Sequence, residues 1–261
     1  MAFIATLASG SSGNAAILSD GNTNILIDAG ISCRRIKTAL SEFDIPLCDI
    51  DAVLVTHEHT DHIKGLEVLC RSGRCPVYAT DGTAWGMERK LHGFDGDIRL
   101  IRAGDSFEVG FIGITPISTP HDAAESVCYL FSLGGHSMLY ATDIGHITPD
   151  IAAAAKSSEC VFIESNHDIY SLLRGSYPEM LKTRILSARG HLSNDDCADM
   201  VREAAECGTR RFTLCHLSRE NNTPQLAADA SLSALRTVGA EGVTLEVAPA
   251  ERACAPYIFE C

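Results

Sequence analysis

The sequence predicts an α/β fold in which two β-sheets pack together and helices cover their outer sides. Three observations support this prediction. Short β-favouring runs alternate with segments of helical periodicity along the chain. Several predicted strands end directly in aspartate or histidine, which collects these side chains at one edge of the sheets. No linker, repeat or low-complexity tract interrupts the pattern, so residues 1–261 are expected to form one domain.

The amino-terminal half predicts a sheet with helices on one side. β-favouring runs bounded by turn residues predict strands at 3–7, 15–18, 24–27, 52–55 and 76–78. The second and third of these form a hairpin. Apolar residues at helical spacing predict a helix at 32–41. Another helix is expected to begin at Ile63, and Asp81 is expected to cap a third.

The carboxy-terminal half predicts the second sheet. Strands and turns alternate over 98–119, and the turn Gly134-Gly135 joins strands 128–133 and 137–141. A helix at 152–156 and a strand at 160–163 follow. Ser193 is expected to cap a helix that ends at Gly208. The remaining elements are a strand at 211–215, a helix from 224 to about 239 and strands near 243–247 and 257–259.

Composition limits the classes of protein that the chain can belong to. With 261 residues, 46% of them hydrophobic, it can form a large core without disulfides. The eleven cysteines include no CxxC pair and are expected to be buried free thiols. No apolar run approaches the ~20 residues that span a bilayer, so we expect a cytoplasmic protein without membrane association. The formal charge of −13 argues against a broad nucleic-acid surface but permits a local metal-lined cleft.

The densest group of candidate ligands follows the strand at 52–55. His57 and His59 alternate, so in extended backbone they point the same way and can share one ion. Asp61 and His62 lie one turn further on and offer a second ion an oxygen and a nitrogen. Other predicted strands end near Asp28, His121, Asp143 and His216. A polar loop that is merely rich in histidine is the weaker interpretation, and the sequence predicts a metal site.

These residues resemble the HxHxDH signature and the later ligands of the metallo-β-lactamase fold, an αββα four-layer sandwich. The segments 9–14, 189–194 and 214–222 are similar to those of the YycJ (WalJ) group, which is related to ribonuclease Z and the phosphonate-pathway cyclic phosphodiesterase. The resemblance implies a 5′-to-3′ exonuclease that acts on double-stranded DNA.

The resemblance also implies two divalent ions, zinc or manganese with iron as a further option. By this resemblance His57, His59 and His121 hold one ion, and Asp61, His62 and His216 hold the other. Asp143 bridges the ions, and Asp28 orients a ligand imidazole. A hydroxide between the two ions is the expected nucleophile, with Asp61 among the catalytic residues.

His191 is the candidate general acid, because a leaving alkoxide needs a proton and related phosphodiesterases place a histidine there. Glu164 is expected to orient His191. Six further side chains are candidates for substrate contact, with ordinary structural roles as the alternative: Ser9, Asn14, His167, Ser193, Arg219 and Asn222.

Other functions stay open from the sequence alone. A small-molecule cyclic phosphodiesterase fits an acidic chain, and a ribonuclease Z-like RNA hydrolase fits the same ligands. A thioester or lactone hydrolase needs no residue equivalent to His191. A non-catalytic metal-binding regulatory partner is the alternative of another class. The expected partner is thus nucleic acid or another phosphodiester, and the oligomeric state is open, with a homodimer as one option.

Overall fold

Two seven-stranded sheets form the centre of the computed structural model, which describes residues 1–73 and 75–259. Its strands are β1 (Phe3–Ala8), β2 (Ala15–Ser19), β3 (Asn24–Ile27), β4 (Ala52–Leu54), β5 (Val77–Thr80), β6 (Ile98–Ile101), β7 (Phe107–Val109), β8 (Ile112–Ser118), β9 (Val127–Leu133), β10 (His136–Ala141), β11 (Cys160–Glu164), β12 (Arg211–Cys215), β13 (Thr244–Val247) and β14 (Tyr257–Ile258). Its helices are α1 (Cys33–Leu40), α2 (Thr60–Ile63), α3 (Leu66–Gly73), α4 (Asp81–Lys90), α5 (Pro149–Ser157), α6 (Ile169–Arg174), α7 (Glu179–Ile185), α8 (Asn194–Cys207) and α9 (Pro224–Thr237).

The strand order brings the functional loops to one edge. The first sheet runs β14-β1-β2-β3-β4-β5-β6 and the second β13-β12-β11-β10-β9-β8-β7. Strands β3 to β6 are parallel, as are β10 to β13. Their carboxyl ends lie together at what we call the carboxyl edge, where ligands bind in open α/β sheets. The ends of β1 and β8 reach the same edge, because each is separated from a parallel strand by two antiparallel steps.

Three apolar layers confirm the αββα arrangement. Because neighbouring side chains of a strand face opposite ways, Ile25 and Ile27 enter the core between the sheets while Leu26 faces the helices. The inter-sheet core includes the fully buried rings of Tyr129 and Phe162. A separate outer core joins the second sheet to α5, α8 and α9.

Most predicted elements are present, and some boundaries were wrong. Thr80 caps α4, since its side chain accepts a hydrogen bond from the Thr83 backbone N–H, so Asp81 is the first helical residue. The helix expected from Ile63 is two helices, α2 and α3. Ser193 caps α8 as predicted. Helices α6 and α7 were not predicted, because six or seven residues are too few to show a helical period.

The cysteines are all free thiols within the described residues, but Cys48 and Cys207 are exposed, so the expectation of burial was wrong for these two. Cys261 lies outside the described residues. No helix in the described ranges has the length and apolar character needed to cross a membrane. The extent of the single domain over 1–261 stays a prediction.

Two hydrogen bonds join the sheets beneath the histidine loop. The Tyr129 hydroxyl of β9 donates to the Val55 carbonyl oxygen at 2.8 Å, two residues before His57. The Val127 backbone N–H donates to the Thr56 carbonyl oxygen at 3.0 Å. These contacts fix the loop after β4 against the second sheet.

We therefore expect Tyr129→Phe to lower the free energy of unfolding by about 1 to 2 kcal/mol, because a buried carbonyl loses its donor. Tyr140→Phe is the matched control: that hydroxyl is equally buried but has no hydrogen-bond partner among the described residues. Urea denaturation of the metal-free proteins measures both changes. Equal losses in the two variants would show that the Val55 contact contributes nothing specific.

Candidate metal centre

Three imidazoles from two loops form the first ligand group. The ligand atoms of His57, His59 and His121 all lie within 4.8 Å of one another. The His57 Nδ1 lies 3.0 Å from the Thr56 hydroxyl, and the His121 Nδ1 donates to the Gly190 carbonyl oxygen at 3.0 Å. With Nδ1 held in each case, the Nε2 of His57 and of His121 is left for a metal ion.

Asp61, His62 and His216 form a second group within the same distance limit. The His62 Nδ1 donates to Asp28 Oδ2 at 2.7 Å, and Asp28 also accepts the Thr56 backbone N–H at 2.8 Å. The buried Asp28 carboxylate thereby fixes the tautomer of His62 with Nε2 unprotonated, which is the form that can bind a metal ion.

Asp143 stands between the two groups. Its Oδ2 lies 3.1 Å from the His216 Nδ1 and 3.2 Å from the His62 Nε2. Its Oδ1 lies 3.6 Å from the His121 Nε2. One carboxylate thus presents an oxygen to each group, which is the arrangement that a bridging ligand requires.

The backbone turns sharply where these side chains enter the site. Asp28, Asp143 and His216 have φ values of 58°, 59° and 54°, in the left-handed region that side chains other than glycine rarely adopt. Each follows a strand within two residues. The conformation costs roughly 1 to 2 kcal/mol per residue, less for aspartate, and the buried contacts of the site hold it in place.

Burial and opposite charges shift the ionisation of the ligands in opposite directions. Burial lowers the pKa of His57 well below its usual value, and the neighbouring His62 lowers it further. Burial also lowers the pKa of His216, but the Asp143 carboxylate outweighs it and raises that pKa to about 9. For Asp143 burial raises the pKa, yet the charges of His216 and His62 hold it well below its usual range. The pKa of Asp61, raised by burial, is lowered by His62 to about 2.

A buried atom without a partner indicates that these residues suit divalent ions. The His57 Nε2 is buried and has no hydrogen-bond partner among the described residues, and such a group costs about 1 to 3 kcal/mol. The Asp143 Oδ2 and the His216 Nδ1, 3.1 Å apart, are buried close by. Imidazole nitrogen and carboxylate oxygen are ligands that zinc, manganese and iron accept.

His191 lies beside this centre and is oriented by Glu164. The His191 Nδ1 donates to Glu164 Oε1 at 2.7 Å, and its ring centre lies 5.1 Å from that of His121 and 5.3 Å from that of His216. The other oxygen of Glu164 accepts the backbone N–H of Ile144 at 2.7 Å. Burial lowers the pKa of His191, but the charge of Glu164 raises it above the usual value.

Two residues predicted to contact substrate support the ligands. Ser9 is buried, and its hydroxyl accepts the backbone N–H of His216 at 2.8 Å. Asn14 is also buried: its Oδ1 accepts the Gly10 backbone N–H at 2.9 Å, and its Nδ2 lies 3.0 Å from the His62 Nε2. The glycine-rich loop at 9–14 thus contacts two of the ligand residues, and direct contact of Ser9 and Asn14 with substrate stays a prediction.

Of the four other residues predicted to contact substrate, three form hydrogen bonds or an ion pair within the protein. The side chain of the fourth, His167, has no hydrogen-bond partner among the described residues. Ser193 bonds Asp196 as the α8 cap, and the buried Asn222 amide donates to the Ser165 carbonyl oxygen at 2.9 Å. Arg219 forms an ion pair with Glu251 at 2.6 Å. His167 is 1% exposed, so a substrate cannot reach it without movement. The structure shows these partners, and direct contact of the four residues with substrate stays a prediction.

Sequence reasoning missed Thr56 and Asp122. Thr56 links Asp28 to His57 through its hydroxyl, and its place in the histidine motif was the available signal. Asp122 Oδ1 lies 3.3 Å from the His121 Nε2, and its other oxygen accepts a hydrogen bond from Arg184. No sequence pattern indicates that second contact, because Arg184 is distant along the chain.

Asp28→Asn should weaken the binding of one metal ion by about 10- to 100-fold, because the amide no longer fixes the His62 tautomer. Asp44→Asn is the matched control, since Asp44 has nearly the same backbone conformation (φ 57°) but lies outside the site. Competitive titration of zinc against a chelating indicator measures both affinities. Wild-type affinity in both variants would contradict the assigned role of Asp28.

Comparisons with known proteins show the family of the chain. The family model described as a beta-lactamase superfamily domain matches residues 23–217. The chain is 36% identical over 222 residues to the exodeoxyribonuclease YycJ of Bacillus anthracis, covering 85% of this chain and 84% of that protein. It is 38% identical over 224 residues to the exodeoxyribonuclease WalJ of Streptococcus pneumoniae serotype 2, covering 85% and 83%.

A solved structure shows the same architecture. The metallo-beta-lactamase fold protein YhfI of Bacillus subtilis superposes with a TM-score of 0.72 at 15% identity, covering 97% of this chain and 99% of that one. The predicted fold and the predicted resemblance are both confirmed. The chain therefore belongs to the beta-lactamase superfamily, as a metal-dependent hydrolase similar to the YycJ and WalJ proteins.

Proposed function

We propose that the chain is a dinuclear metal-dependent phosphodiesterase that removes nucleotides from double-stranded DNA in the 5′-to-3′ direction. The proposal of two metal ions rests on the position of Asp143, whose two oxygens face different ligand groups. The DNA substrate is supported by the exodeoxyribonucleases that are 36% and 38% identical to this chain over 222 and 224 aligned residues.

The ligand groups divide between two sites. His57, His59 and His121 hold one ion, and Asp61, His62 and His216 hold the other. Zinc or manganese fits this set, with iron as a further option. When bound, two such ions supply a water-derived nucleophile at neutral pH and neutralise the phosphoryl oxygens of an in-line displacement.

His191 is the proton donor to the leaving oxygen. Its Nδ1 is committed to Glu164, so Nε2 is the atom from which a proton is delivered. Glu164 is fully occupied by His191 and the backbone amides of Ile144 and Leu192, which fixes the imidazole plane. Glu164 therefore positions His191 without itself touching the substrate.

A small phosphodiester is the second candidate substrate. The net charge of −13 opposes a long polyanion, whereas a small diester requires no extended binding surface. Hydrolysis of RNA needs the same metal chemistry, so RNA is one of the substrates compared in the experiment below.

A substrate comparison tests the proposal directly. The zinc- or manganese-loaded protein is offered end-labelled duplex DNA, single-stranded DNA, RNA and bis(p-nitrophenyl) phosphate. We expect cleavage of duplex DNA with mononucleotides released from the 5′ end, and its loss after chelation. Cleavage of the small diester alone would reject the nuclease assignment while retaining the hydrolase.

His191→Ala should lower kcat on DNA by about 100-fold or more while both metal ions remain bound. The loss should be much smaller on bis(p-nitrophenyl) phosphate, because p-nitrophenolate leaves without a proton. Steady-state kinetics and metal analysis measure the two effects, with the exposed His92→Ala as control. An equal loss on both substrates would show that His191 acts other than as an acid.

A further inference from the structure

The surface formed by α6 and α7 has many exposed apolar side chains and few acidic ones. Five of the large apolar side chains that the structure leaves exposed lie in this stretch: Ile169, Tyr170, Leu173, Met180 and Leu186. Residues 169–191 also contain four of the 21 Lys and Arg residues but only one of the 34 Asp and Glu residues. Lys182 is buried, but Arg174, Arg184 and Arg189 are exposed, so this acidic protein presents here a local surface that is both apolar and cationic.

Tyr170 and Arg174 form the most defined part of this surface. The tyrosine ring is 61% exposed, and the Arg174 guanidinium lies 4.3 Å from the ring centre. The pair lies on one face of α6, since the residues are four apart. Leu172, on the opposite side, is fully buried and anchors the helix.

This surface is continuous with the metal centre. Asp168, which caps α6, donates its backbone N–H to the Asn221 carbonyl oxygen at 3.0 Å, in the loop after His216. At the far end of α7, Arg184 pairs with Asp122, next to the ligand His121. The two ends of the α6–α7 stretch thus contact the loops that carry the ligands His216 and His121.

Its chemistry favours one occupant. We infer that Tyr170 stacks on an unpaired base of the DNA strand held at the metal centre, while Arg174 binds a neighbouring phosphate. This inference rests on the proposed function. Exposed aromatic rings beside cations are how proteins bind single strands without sequence preference. A second copy of the chain fits less well, because a two-fold contact places this surface, with its cationic side chains, against the same surface of the other copy.

Tyr170→Ala should lower the ratio of kcat/KM on duplex DNA with an unpaired 5′ overhang to kcat/KM on bis(p-nitrophenyl) phosphate by about 5- to 100-fold. Tyr170→Phe, which keeps the ring, should restore the ratio. Arg174→Ala should reduce the slope of log affinity against log salt by about 0.7 to 0.9, one phosphate contact, in anisotropy titrations of the labelled DNA.

Two matched controls lie at the opposite edge of the sheets. Phe111, 84% exposed, precedes the start of β8, and Arg236 is exposed in the last turn of α9. Phe111→Ala and Arg236→Ala should leave the ratio and the salt slope unchanged. Light scattering of every variant reports its oligomeric state.

The outcomes separate this inference from the proposed function. If the wild-type protein cleaves DNA and Tyr170→Ala behaves as Phe111→Ala does, the stacking surface is rejected and the nuclease stands. If Tyr170→Ala changes the mass of the particle and not the substrate ratio, a second copy covers this surface and the inference is overturned. If the wild-type protein cleaves only the small diester, the proposed function itself fails.

Discussion

The site depends on the way the two sheets face each other at the carboxyl edge. His57, His59, Asp61 and His62 come from one loop of the first sheet, whereas His121, Asp143 and His216 come from the second. Neither set alone brings together the ligand groups that surround Asp143. The hydrogen bonds from the Tyr129 hydroxyl to the Val55 carbonyl oxygen and from the Val127 N–H to the Thr56 carbonyl oxygen join the two sets just before His57. The packing of the two sheets against each other therefore determines the positions of the ligands.

Buried hydrogen bonds surround the ligands and offset the cost of assembling them. Three residues of the site take left-handed backbone conformations, and several carboxylates and imidazoles leave water. Asp28, Ser9 and Gly190 each bind a ligand residue by a side chain or a carbonyl group, so orientation is set before an ion arrives. Glu164 does the same for His191. Rigid support of this kind suits a centre whose atoms must meet within a few ångströms.

The sequence predicted the chemistry of the site better than its surroundings. The spacing of His57, His59, Asp61 and His62 is local, so one loop suffices to predict it, and buried strands predicted the two sheets. Ser193 is predicted both as the α8 cap and as a substrate contact, and the structure shows the cap. Ser9 and Asn222 bond backbone groups that are distant along the chain, contacts that the sequence alone does not indicate. The cap of α4 is another point that the sequence leaves open. Thr80 and Asp81 are both residue types that cap helices, and the position at which β5 ends decides that Thr80 is the cap.

Anomalous diffraction from crystals of the metal-loaded protein tests the central claim most directly. The account predicts two peaks, roughly 3.5 to 4 Å apart, one beside His57, His59 and His121 and one beside Asp61, His62 and His216, with one Asp143 oxygen near each. A single peak, or an Asp143 carboxylate turned away from both ions, would contradict it.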